Sequence, residues 1–146
     1  MNETEKFNEF TGLVSRAYKA LHRVQERYMR DFGLRSVHVS CLLRLLDAPD
    51  GLSATELSAL CGVDRAQISR VTADLASRGL VCETAPGMKR RYRGSLMLTE
   101  RGRAEAEELS GIVVEKLAAV SSSLDGEKVA TFYEVFREIV SKLEDI

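Results

Sequence analysis

A chain of 146 residues, 45% of them hydrophobic, is long enough for a single domain and apolar enough to bury a core. Its formal charge of -1 excludes a protein that holds a polyanion through total charge alone. Scattered glycines, two prolines, the polar, acidic start MNETEKFNEF and no apolar run near span length speak against a long linker, a leader or a membrane segment, so the expected compartment is the cytoplasm.

The first helix is expected from about Glu3 to Phe32, stopping at Gly33. Its apolar residues, Phe7, Phe10, Val14, Ala17, Leu21, Val24 and Tyr28, step alternately by three and four and draw a narrow stripe. A helix of about 30 residues is long for a domain this size, so a partner helix is expected to cover it. The second helix, Val37 to about Asp47, reads VHVSCLLRLL. It is apolar on nearly every side and therefore central and buried.

Two short helices follow. Ser53 with Glu56 opens ATELSALC in the S-x-x-E pattern, and Asp64 with Gln67 opens RAQISRVTADLASR in a similar one. Gly62 allows a tight turn between them, and Gly79 stands where a helix-ending glycine belongs. Helix, short glycine turn, helix is the helix-turn-helix pattern. A strand is expected over Val81–Thr84, a turn with a basic tip over APGMKRRYRG, and a returning strand over Ser95–Leu98. A hairpin in this place is a wing. Thr99 then caps a long helix, and Asp125 starts a last one over Gly126–Glu144 with apolar residues Val129, Phe132, Phe136, Ile139 or Val140, and Leu143.

The expected fold is thus mainly α with a small β wing. Residues 37–103 form a winged helix-turn-helix lobe, and the helices of 1–33 and 104–146 dimerise. Phe7, Phe10, Val14, Phe132, Phe136 and Leu143 are the candidate dimerisation residues.

Charge is unevenly placed. Residues 64–103 hold nine Lys or Arg against four Asp or Glu, an excess of +5, whereas residues 104–146 hold four against ten. Local excess is what a polyanion feels, because phosphate contacts act within roughly 8–10 Å at ordinary salt. On the fourth helix, Ile68, Val71, Thr72 and Leu75 share an inward face. Ala66, Gln67, Ser69, Arg70, Ala73 and Asp74 lie outward or on the flanks. Small and hydrogen-bonding residues at the leading end suit a major groove, where Gln pairs with adenine and Arg with guanine. The bland alternative, a merely solvated helix face, would win for one helix alone. Capping patterns, glycine turn, wing and local charge together favour duplex DNA. At the wing tip, Lys89, Arg90, Arg91 and Arg93 surround Tyr92. Such a cluster suits the phosphate rails of a minor groove.

The strings LSATELSALCGVDRAQISRVTADLASRGLV and LMLTERG, with the order of the elements, resemble the MarR (multiple antibiotic resistance regulator) family. The resemblance implies a homodimer with interlocking terminal helices. It also implies two recognition helices in successive major grooves of a pseudo-palindromic operator, and a repressor released by a small aromatic or anionic ligand. By position, Arg70 matches the outward basic residue of the recognition helix, and Gln67 and Ser69 its base-proximal positions. Arg65 matches a phosphate contact. Thr55 and Ser53 are candidate phosphate contacts too, although capping is the plainer role for Ser53. The family's wing carries D-x-R, and GMKRRYRGS has no Asp, so the minor-groove role falls to Arg91 or Arg93.

Cys41, Cys61 and Cys82 include no C-x-x-C pair and read as small core residues in preference to sensors. His22 and Glu26, one turn apart, make a surface pair too small for a metal site. His38 is expected to be satisfied in or near the core, with a ligand cavity beside Arg35 as the alternative. No cofactor is expected, and no nucleophile–base–acid set points to an enzyme. The rival readings are a redox- or metal-triggered regulator of the same fold and a winged-helix module that binds protein.

Overall fold

The structure, a computed structural model, describes residues 1–83 and 95–146. The side chain of Tyr28 and residues 84–94 lie outside the described residues. In chain order the elements are α1 (Glu3–Met29), a 3-10 turn (Arg30–Phe32), α2 (Ser36–Leu46), α3 (Ala54–Cys61), α4 (Arg65–Ser77), β1 (Val81–Cys82), β2 (Met97–Leu98), α5 (Glu100–Ser121) and α6 (Gly126–Glu144). This is the mainly α fold with a small antiparallel β pair that the sequence predicts.

Starts and stops follow local chemistry. Ser53 Oγ accepts from the Glu56 amide at 3.1 Å, and Asp64 Oδ1 from the Gln67 amide at 2.7 Å. Each such cap stabilises its helix by about 1 kcal/mol. A reciprocal box opens α1 as well, where Asn2 Oδ1 accepts from the Glu5 amide and Glu5 Oε2 from the Asn2 amide. The first helix ends earlier than expected. Its last turn tightens to 3-10 geometry, and Gly33 at φ 66° lets the Leu34 amide reach Met29 O at 3.3 Å.

Among the described residues, the β pairing covers two residues on each strand, and Thr84 of the expected first strand lies outside them. Val81 pairs with Leu98 and Cys82 with Met97. Leu96 turns instead to Leu52, each amide donating to the other's carbonyl at 2.8 and 3.0 Å. The segment leading into α3 thereby becomes a third participant in the base of the wing.

The chain divides into two compact units, Met1–Ile112 and Val113–Ile146, and the division falls within α5. In the first unit, α2 is the hub, packing against α1, α3, α4 and β2. Its Val39, Cys41, Leu42 and Leu45 are buried with Leu57 of α3 and Ile68, Val71 and Leu75 of α4. The apolar circumference of VHVSCLLRLL has this packing as its cause. Thr72 is buried too, its hydroxyl returned to Ile68 O at 2.8 Å.

The string LTERG has a mechanical explanation. Thr99 Oγ1 donates to Gly79 O at 2.6 Å and accepts from the Gly102 amide at 2.9 Å, joining the end of α4 to the start of α5. A Cβ on Gly102 would stand 1.8 Å from Leu80 O. Only glycine permits α5 to pass over that carbonyl.

In the second unit, Phe132 stacks on Phe136 with ring centroids 5.4 Å apart and meets Tyr133 edge-on. No residue of α6 is buried. Among the described residues, no helix is long and apolar enough to cross a membrane.

Candidate nucleic-acid interface

The capped turn between α3 and α4 fixes which side of α4 faces out. Ile68, Val71, Thr72 and Leu75 are buried, so Arg65, Ala66, Ser69, Arg70 and Ala73 are left exposed, with Gln67 half-buried at the edge. Arg65 Nη1 donates to Thr55 Oγ1 at 2.6 Å. The two candidate phosphate contacts from different helices are therefore adjacent. Arg65 is the first residue of α4, so the pair sits at that helix's amino end, where a helix favours negative charge. Lys89, Arg90, Arg91 and Arg93 lie outside the described residues.

Asp74 has a different place from its neighbours on the outer face. Its Oδ2 accepts from His38 Nε2 at 2.8 Å and pairs with Arg78 Nη2 at 3.1 Å. Arg78 Nη1 also donates to Gly33 O at 2.9 Å, and the Arg35 amide donates to His38 Nδ1 at 3.3 Å. With Nδ1 accepting, the neutral ring carries its proton on Nε2 and donates it to Asp74. The hydrogen bond from His38 holds the Asp74 carboxyl below the ordinary aspartate range; burial opposes this, and Arg78 adds to the lowering.

His38 is thus satisfied, as expected, and it also borders the cavity offered as its alternative. Arg35, His38, Gln67, Arg70, Asp74 and Arg78 line a polar cleft of about 490 Å³. No local pattern marks the Asp74–His38 contact, which joins positions 36 apart.

His22 Nε2 lies 2.6 Å from Ser36 Oγ, and its Nδ1 lies 3.7 Å from Glu26. Among the described residues, no three His, Cys, Asp or Glu side chains cluster as metal ligands would. Cys41 is a core residue, whereas Cys61 and Cys82 are half-buried. Cys41 and Cys61 meet, with Sγ atoms 3.9 Å apart. Of the candidate dimerisation residues, Phe7, Val14, Phe132 and Leu143 are exposed, while Phe10 and Phe136 are half-buried.

Residues 32–91 match the sequence model of the MarR family. No curated protein matches the chain. Among solved structures, transcriptional regulator PA3341 is similar at 25% identity and TM-score 0.80, over 96% of this chain and 99% of that one. The MarR family transcriptional regulator SPO1453 from Silicibacter pomeroyi DSS-3 is similar at 25% identity and TM-score 0.75, over 90% and 92%. CouR from Rhodococcus jostii RHA1, crystallised with p-coumaroyl-CoA, shares the fold at 23% identity and TM-score 0.76, over 87% and 88%. A sequence match across the helix-turn-helix and a fold shared over nearly the whole length agree: residues 32–91 carry the MarR family's sequence pattern, and the chain has the winged helix-turn-helix fold of MarR-type transcriptional regulators.

Proposed function

We propose that the chain acts in the cytoplasm as a homodimeric repressor that binds a pseudo-palindromic site in double-stranded DNA and leaves it when a small aromatic or anionic ligand binds. The observation that carries this is the face of α4. Its apolar residues are consumed by the core, Ser69 and Arg70 stand outward with Gln67 half-buried at their edge, and Thr55 and Arg65 are paired at the start of the helix. In this reading Gln67, Ser69 and Arg70 meet base edges in the major groove. Thr55 and Arg65 hold a phosphate. Lys89, Arg90, Arg91 and Arg93 follow the backbone at the minor groove.

Two further observations support the finer parts. The stripe of α1 and the aromatic face of α6 leave Phe7, Val14, Phe132 and Leu143 exposed, which suits a second copy. Three arginines border the cleft beside α4, which suits an anionic effector, and CouR, a fold relative, was crystallised with p-coumaroyl-CoA.

Selection of bound fragments from genomic DNA, followed by fluorescence anisotropy on the recovered duplex at increasing salt, tests the reading. The expected result is one enriched palindrome-like sequence whose affinity falls steeply with salt. Recovery of no sequence above background sinks it.

A further inference from the structure

Two thiols 20 residues apart in the chain are brought into contact where the helix-turn-helix meets its hub. Cys41 is fully buried in α2, among Val39, Leu42 and Leu45. Cys61 is the last residue of α3 and half-buried, so part of the residue meets solvent. The Sγ atoms are 3.9 Å apart. An ordinary pair of core thiols would be buried at both ends and inert. This pair has one sheltered member and one accessible member, the arrangement that lets one sulfur be attacked and the other close on it.

The electrostatics act in the same direction. A hydrogen bond from Cys41 favours the thiolate of Cys61, which is held below its ordinary range, and the charge of Arg44 adds to this while burial opposes it. Cys41 is pushed the other way, first by its hydrogen bond to Cys61 and then by burial. Cys61 is therefore the attacking sulfur and Cys41 the resolving one.

We infer that Cys41 and Cys61 are a hydroperoxide-sensitive dithiol whose closure to an intrachain disulfide weakens DNA binding. In the first step the Cys61 thiolate attacks the outer oxygen of a hydroperoxide. An S–O bond forms and the O–O bond breaks. The departing alkoxide takes a proton and leaves as an alcohol, or as water when the oxidant is hydrogen peroxide. Cys41 sulfur then attacks Cys61 sulfur. An S–S bond forms and the S–O bond breaks, and the released hydroxide leaves as water with the proton of Cys41. Two thiols lose two electrons, and one peroxide gains them.

Bond formation requires the sulfurs to close to about 2 Å. Cys41 is fixed in the hub, so the movement falls on Cys61. The next residue is Gly62, at φ 68° with open space around its Cβ position, and two residues on Asp64 caps α4. Displacement of Cys61 therefore acts on the turn that aims α4 and on the Thr55–Arg65 pair. The effect on DNA rests on the function proposed above, whereas bond formation does not.

The test uses the full chain, with Cys61→Ser and Cys82→Ser variants, treated with stoichiometric hydrogen peroxide. Intact mass and peptide mapping read the bond, and anisotropy on the selected duplex reads its effect. Wild type and Cys82→Ser should lose two hydrogens per chain, yield a Cys41–Cys61 linked peptide, and bind about tenfold or more weakly, as site coupling commonly gives. Dithiothreitol should restore binding. Cys61→Ser should bind as reduced wild type does and stay insensitive to peroxide. Thiols that remain free, oxygen addition without a link, a link through Cys82, or a formed link with unchanged affinity would each overturn the inference. A reduced protein that binds no duplex refutes the function and, with it, the DNA effect, while the peptide map still decides the dithiol.

Discussion

Arg70 and Asp74 lie one turn apart on α4 and do different things. Arg70 is exposed, and under the proposed function its replacement by alanine should cost about 1–3 kcal/mol in duplex affinity and relax sequence preference at one position of the site. Anisotropy on single-base variants of the duplex measures both. Arg65→Ala should instead weaken all sequences alike and lower the salt slope by about one. Asp74 ties α4 to α2 and to the end of α1 through His38, Arg78 and Gly33. Its carboxyl titrates lower in the folded chain than in the unfolded one. Between those two values the unfolded chain holds a proton that the folded chain does not, so this contribution is present above the ordinary aspartate range and is lost as pH falls below it. Urea unfolding at descending pH should show that loss in the wild type and a flatter profile in Asp74→Asn. Gly102→Ala introduces a clash with a carbonyl that cannot move without breaking the Thr99–Leu80 bond. Its expected cost is about 3 kcal/mol, at the upper end for overpacking, measured by the same unfolding titration.

At the scale of elements, what is legible in a sequence is what depends on near neighbours. Ser53 and Asp64 announce their helices because a cap and its recipient amide lie three residues apart. The inward set Ile68, Val71, Thr72 and Leu75 follows from helical period alone. Period tells which face is buried but not against what. The contacts of Cys41 with Cys61, His38 with Asp74, Leu52 with Leu96 and Gly102 with Leu80 are therefore invisible until the helices are packed. Leu96 is the instructive case. It alternates like a strand residue, yet its partner is the connection before α3 rather than β1. The wing has its own prediction. Arg91→Ala should weaken binding to all duplexes and flatten the salt dependence, since a phosphate contact carries charge and little sequence information.

For the whole molecule, the question is what covers the apolar stripes of α1 and α6. A second copy predicts a dimer in sedimentation velocity, and Phe132→Glu with Phe136→Glu should shift the population to monomer. Duplex affinity should fall with it, because two half-sites about 34–36 Å apart need two linked reading helices. Helix α6 keeps all its side chains at least partly in contact with solvent within one chain. A helix so poorly anchored opens readily unless another surface lies on it. Its amide deuterium uptake should therefore quicken as the protein is diluted, while that of α2, sealed in the hub, stays the same. The tail would then report, peptide by peptide, the concentration at which subunits part.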